Sequence, residues 1–320
     1  MSAQTTTSRP NAETSIRDRI VVGIEDAAQG SGPLLWACQE ADRSHAALQV
    51  VTACPWEVGP PPRRPASYLG PDPTEVALRS LTDVTRRLCT DADVLPPRVE
   101  AGSPPHVLVD ALDEHALMLV VGRRTRAGAQ HLLLGSTSVA VAGQAPVPTV
   151  VVPDSWVPGP KASSPVVVGL RGADDEPLLR FGFDRAAALR VPLVAMHAWD
   201  IPSLLTWSPS EIARMRAKVL TTLDRRLAPW RAEFPDLEIV TAAPAERPVD
   251  ALTDAGQVAQ LVVVGRHTRG AGHLGPRLGS TARGALHRAH VPVAVVPVLS
   301  GDDVPHQGTH VSSDVWAPMY

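Results

Sequence analysis

The chain has 320 residues, 44% of them hydrophobic, with 30 lysines and arginines against 33 aspartates and glutamates. That length supports two ordinary hydrophobic cores, and a net charge of −3 lacks the basic field on which nucleic-acid binding depends, so nucleic acid is not an expected partner. Three cysteines, Cys38, Cys54 and Cys89, stand outside any CxxC pair and leave one unmatched, which argues against a disulfide framework or zinc site and reads as buried thiols in a reducing compartment.

In chain order, residues 1–16 are polar and lack an apolar signal core. They read as a disordered N-terminus, and with no run as long as a membrane span the expected setting is cytoplasmic, away from membranes. Short β-branched runs predict strands at Ile20–Glu25, Ala47–Ala53, Arg98–Ala101, Leu117–Val121 and Thr149–Val152. Apolar residues three and four apart predict helices at Gly32–Ser44, Thr74–Thr90, His106–His115 and Ser136–Gly143. The proline-rich stretch Pro55–Pro73 reads as a long, stiff loop. Residues 154–164, "DSWVPGPKASS", are a linker by composition. The second half predicts strands at Val166–Leu170, Pro192–His197, Glu238–Ala242, Leu261–Val264 and Val293–Val296, with helices at Glu176–Ala188, Pro209–Trp230, Val249–Ala255 and Ser280–Arg288. Residues 299–320 have no apolar period and read as a disordered tail.

The halves answer one another. "IVVGIED" from Ile20 matches "VVVGLRG" from Val166, "VGRRTRAGAQHLLLGST" from Val121 matches "VGRHTRGAGHLGPRLGST" from Val264, and "APVPTVVVP" from Ala145 matches "AHVPVAVVP" from Ala289. Such a nearly constant offset indicates duplication of a whole domain, over residues 17–153 and 165–298. Strands apolar on both faces and separated by helices imply an α/β fold, each half a doubly wound, five-stranded parallel sheet covered on both sides. Ligands of such sheets sit beyond the carboxyl ends of the strands, near the loops after the first and fourth.

The loop after the fourth strand has the makings of an anion site. Gly122 is expected to turn the chain after Val121, and Ser136 to cap the next helix with Gly135 before it. Free amides and the positive end of the helix dipole then face the sheet edge and suit a phosphate, each such contact contributing about 0.3–2 kcal/mol. Ser136, Thr137, Arg123, Arg124 and Arg126 are the candidate further donors. The same residues also fit a plain capped helix beside solvated arginines.

These paired loops, the "VVG" first strands, "LVVVG" at Leu261 and the "VPTVVVP" ending resemble the universal stress protein family in its tandem form, over about Arg19 to Pro297. The resemblance implies the adenine nucleotide alpha hydrolase-like fold. It also implies a regulatory, stress-response role with ATP as the bound adenine nucleotide, Mg²⁺ as its companion ion, pairing of domains through the last strands, homodimers and an unnamed protein partner. Nucleotide-binding members carry Gly-x2-Gly-x9-Gly-Ser/Thr after strand four and an acidic residue after strand one. Here Gly122, Gly135 and Ser136, with Thr137 next, keep the family's spacing, while Thr125 stands at the middle glycine. In the second half Gly265 and Arg266, Thr268, Gly279, Ser280 and Thr281 take the corresponding places with one additional residue. The strand-one acid is Glu25, followed by Asp26, in the first half and is replaced by Arg171 in the second; the adenine edge falls near Ala53 and Ala198. Binding is therefore expected to be better in the first half. Thr125 and Thr268 either donate to a phosphate or occupy its place, which leaves open an interaction module with degenerate sites. A slow ATPase is the third reading, although no Walker lysine, Ser-His-Asp order or evident base supports catalysis.

Three remaining features read as structural. His287 and His290 are surface histidines without a third metal ligand, Asp174, Asp175 and Glu176 complement a helix dipole, and Phe181, Phe183 and Trp36 pack helices on the sheet.

Overall fold

The computed structural model describes residues 17–25, 31–54, 72–123, 135–159, 162–172, 175–200, 207–268 and 278–299. The expectations for both chain ends, most of the proline-rich segment, Asp26, Arg124, Thr125, Arg126 and Asp174 lie outside the described residues.

The first half runs β1 (Arg19–Gly23), α1 (Ser31–Ser44), β2 (Ala47–Cys54), α2 (Pro73–Leu88), β3 (Arg98–Ala101), α3 (Pro104–Asp110), β4 (Ala116–Arg123), α4 (Ser136–Gln144) and β5 (Thr149–Pro153). The second repeats it as β6 (Val166–Gly169), α5 (Glu176–Leu189), β7 (Leu193–Met196), α6 (Pro209–Glu233), β8 (Ile239–Ala242), α7 (Pro248–Val258), β9 (Leu261–Thr268), α8 (Ser280–Arg288) and β10 (Val293–Leu299). Local chemistry sets several ends. Asp72 accepts from the Thr74 amide to start α2, with proline at the first helical position, and Ser208 and Glu211 form a capping box for α6.

Within each half the strands are parallel, and the two halves fuse into one ten-stranded sheet in the order β3-β2-β1-β4-β5-β10-β9-β6-β7-β8. The seam is antiparallel, with Val293, Ala294 and Val295 opposite Val151, Val150 and Thr149. The expected pairing of the last strands thus occurs within the chain. Alternation along the strands splits the valines into two cores, one on each face of the sheet and each shared by both halves. Helices α1, α2, α5 and α6 cover one face; α3, α4, α7 and α8 cover the other. On the first face Glu40 of α1, only 2% exposed, is held by Arg43 at 2.8 Å and pairs across the seam with Arg185 of α5. Phe183 stacks on Trp230 with ring centroids 4.9 Å apart, and Phe181 and Trp36 are buried as the helix-to-sheet reading expects.

The cysteine reading needs correcting. Cys38 on α1 and Cys89 at the end of α2 are joined as a disulfide, with Cα atoms 5.4 Å apart, and Cys54 is the buried third. The two lie far apart in sequence, and only the packing of α1 beside α2 on one face brings them together.

Candidate functional site

At the carboxyl edge of the first half, β1 and β4 lie side by side, Val22 opposite Val120 and Gly23 opposite Val121. Glu25 follows β1 and is exposed, and Ala53 sits one residue before the end of β2. The strand does not stop at Val121 as expected. Gly122 continues β4 opposite Val152, and Arg123 continues it opposite Pro153. Gly122 is therefore not a turn residue; its lack of a side chain permits close approach. A Cβ there would stand 2.9 Å from Asp154 Oδ1 and 3.2 Å from Pro33 Cγ.

Across the edge, Gly135 itself is the N-cap of α4, with φ −65° and ψ 147°, so Ser136 and Thr137 are the first two helical residues and Ser136 is not the cap. The opening amides of such a helix have no helical carbonyl one turn back to meet, and Gly135 offers them no capping side chain. Ser138, missed in the sequence, ties the parts together. It is 4% exposed, and its hydroxyl donates to the Gly122 carbonyl at 2.8 Å, fixing the helix start against the end of β4. The signal was available as a hydroxyl on the otherwise apolar inner face of α4.

The second half keeps the frame and alters the chemistry. Gly265, Arg266 and Thr268 all lie in β9, opposite Val296, Pro297 and Leu299. Thr268 thus has the extended backbone a β-branched residue prefers, and no left-handed conformation is asked of it. Gly279 caps α8 with φ −65° and ψ 161°, and Ser280 and Thr281 open the helix. The place of Ser138 is taken by the buried Ala282, so the hydroxyl tie is gone. Beyond β6, the amides of Arg171 and Gly172 donate to Asp175 Oδ2 at 2.8 and 2.9 Å, and Arg226 lies 3.4 Å from the same oxygen. Asp175 stands at the N-cap of α5 and Glu176 in its first turn, where the helix-dipole reading puts carboxylates, but the Asp175 side chain makes no cap bond; it folds back and fills the turn with the chain's own carboxylate.

Next to this turn, His197 Nδ1 is 3.1 Å from the Leu170 carbonyl, and burial pulls its pKa below the ordinary 6.5, partly offset by that contact and by Asp175. A depressed histidine pKa means that the unfolded chain takes up the proton first as pH falls. Stability is therefore expected to be full above about pH 7 and to decline from 6.5 down to the folded-state value. Chemical denaturation between pH 7.5 and 5 should show a shallower decline in His197→Asn, and parallel curves would refute the assignment.

The two arginines expected to help a phosphate are placed elsewhere. Arg123 is 1% exposed, and its Nη1 and Nη2 donate to the carbonyls of Leu286 and Ala289 at the end of α8. Arg266 is 4% exposed and donates to the carbonyls of Gly143 and Ala145 at the end of α4, at 2.9 and 2.7 Å. Side-chain alternation explains this. Positions 119, 121 and 123 share one side of β4, and 262, 264 and 266 one side of β9, so each arginine is the last inward residue on the α4 and α8 face. Burial lowers the Arg123 pKa to about 10, with Asp154 opposing, and lowers that of Arg266 as well. Gly122, Gly135, Ser136 and Thr137 are thus brought together through Ser138, at the sheet edge shared by Glu25 and Ala53, while Arg123 and Arg266 face the opposite half.

A model of the universal stress protein family matches residues 17–153 and again 163–297. A universal stress protein of Mycobacterium tuberculosis is 34% identical over 201 residues, 61% of this chain; the match spans 63% of that relative's length, under two thirds of it. A second from the same organism is 30% identical over 291 residues, covering 86% of this chain and 95% of the relative. Among solved structures, a universal stress protein from Archaeoglobus fulgidus superposes with a TM-score of 0.60 at 15% identity, over 87% of this chain and 98% of that one.

Proposed function

Because the chain belongs to the universal stress protein family and carries its domain twice, we propose that it is a regulatory protein that binds an adenine nucleotide, ATP with Mg²⁺, at the Gly135–Thr137 helix start of its first half. The observation that carries the reading is the Ser138 hydroxyl on the Gly122 carbonyl, which holds both ends of the glycine motif at one place on the sheet edge. With the helix start fixed, its amides and dipole are pre-aimed at a phosphate, and Glu25 is the acceptor at the neighbouring strand end for sugar hydroxyls. In the family's arrangement Mg²⁺ would accompany the phosphates.

A different reading suits the second half, where Asp175 supplies from within the chain the negative charge that a ligand would bring, and Ala282 replaces the serine. That half is read as an interaction module. Titration calorimetry of the whole chain with ATP and Mg²⁺ is expected to give one site per chain. No heat together with no thermal shift would refute nucleotide binding, and two equivalent sites would refute the asymmetry.

A further inference from the structure

We propose that each half anchors the last helix of the other, so that Arg266, a residue of the second half, is a positioning residue for the nucleotide site of the first, while Arg123 holds α8 of the second half in the same way. This rests on the reading of the α4 start as the phosphate seat. Since β5 and β10 are antiparallel, the carboxyl end of β4 lies beside the amino end of β10, where α8 terminates. The same geometry puts the end of β9 beside the end of α4. Each strand-end arginine therefore meets the last carbonyls of the other half's helix, two per guanidinium.

A cation buried at the negative end of a helix fixes that end and complements its dipole. The helix concerned has nine residues, about 13 Å, so its other end is the candidate phosphate seat. The charge is also shielded from solvent, which lets its field act along the helix. The device comes with an unfavourable element that both halves retain: Nε of Arg123 and Nε of Arg266 are buried without a hydrogen-bond partner among the described residues. Sequence distance misleads here. Arg123 adjoins the first-half motif, yet its bonds go to α8; Arg266, 121 and 123 positions from its acceptors, holds α4.

The experiment compares hydrogen exchange and ATP binding in the full chain. In Arg266→Gln, amides of α4 are expected to exchange faster while those of α8 keep their protection, and affinity for ATP with Mg²⁺ is expected to fall about three- to ten-fold. In Arg123→Gln the exchange pattern is expected to be reversed. Equal loosening of both helices in either variant, loosening of neither, or unchanged ATP affinity in Arg266→Gln would overturn the proposal. Should Arg266→Gln fail to fold, Arg266→Lys, which keeps the charge but not the planar fork, permits the same comparison. If the wild-type chain binds no ATP, the nucleotide reading fails by itself, and the crossed exchange pattern still decides whether the arginines position the helices.

Discussion

Gly135→Asp is expected to abolish ATP binding in the first half while making the protein slightly more stable. The backbone at Gly135, φ −65° and ψ 147°, suits any residue, and among the described residues an added Cβ would find Ser138 Oγ nearest, at 3.8 Å. Aspartate is among the best N-caps, and here it would fill a cap that has no side chain. The cap bond together with the dipole should stabilise the fold by about 0.5–1 kcal/mol. The same carboxylate would sit where the phosphate is proposed to bind, using its amides and repelling its charge. At about 4 Å and an effective dielectric near 20, that repulsion is worth several kcal/mol and predicts at least about a hundred-fold loss of affinity. Calorimetry with ATP and thermal melting on the same sample separate the effects. Gly279→Asp, whose added Cβ would meet none of the described residues within 4 Å, should match the stability gain without the loss of binding. Retained binding in Gly135→Asp would remove the α4 start from the site.

The other large effect concerns stability. Phe183→Ala is expected to cost about 3–5 kcal/mol, because the ring is fully buried, stacked on Trp230 of α6 and tilted against Phe234 at 5.2 Å. The resulting cavity lies in a core that extends into the first half through Val152, Val150 and Trp36. The whole chain is therefore expected to unfold in one transition in both wild type and variant, the variant at lower urea. Circular dichroism and tryptophan fluorescence should give coincident curves. Two separated transitions would show that the halves melt independently despite their common core.

Much of this architecture was legible because most strands centre on short runs rich in valine and the duplication shows each element twice. The differences have physical causes. Gly122 and Gly265 look like chain reversals, but the ladder to Val152 and Val296 carries the strands past them. Arg123 and Arg266 look like solvated loop residues, and the alternation that points them inward becomes visible only once the strands are known to continue. Asp175 is a helix-start carboxylate as read, but its second role, accepting from the turn at Arg171 and Gly172, needed the fold to be seen. Cys38 and Cys89 meet only through helix packing, which no local pattern encodes. The glycine and hydroxyl positions of the candidate site were readable from spacing, whereas Ser138 needed the contact between α4 and β4.

The seam between β5 and β10 also has a bearing on assembly. Since these strands satisfy each other inside one chain, neither is left as an open edge to recruit another copy. Among the described strands, β3 and β8 are the margins of the sheet. The first is guarded by the charged pair Arg98 and Glu100, whereas the second presents Val240, 42% exposed. Among the described strands, the margin of the second half is therefore the less guarded of the two, and it is remote from the seam where the halves have already met.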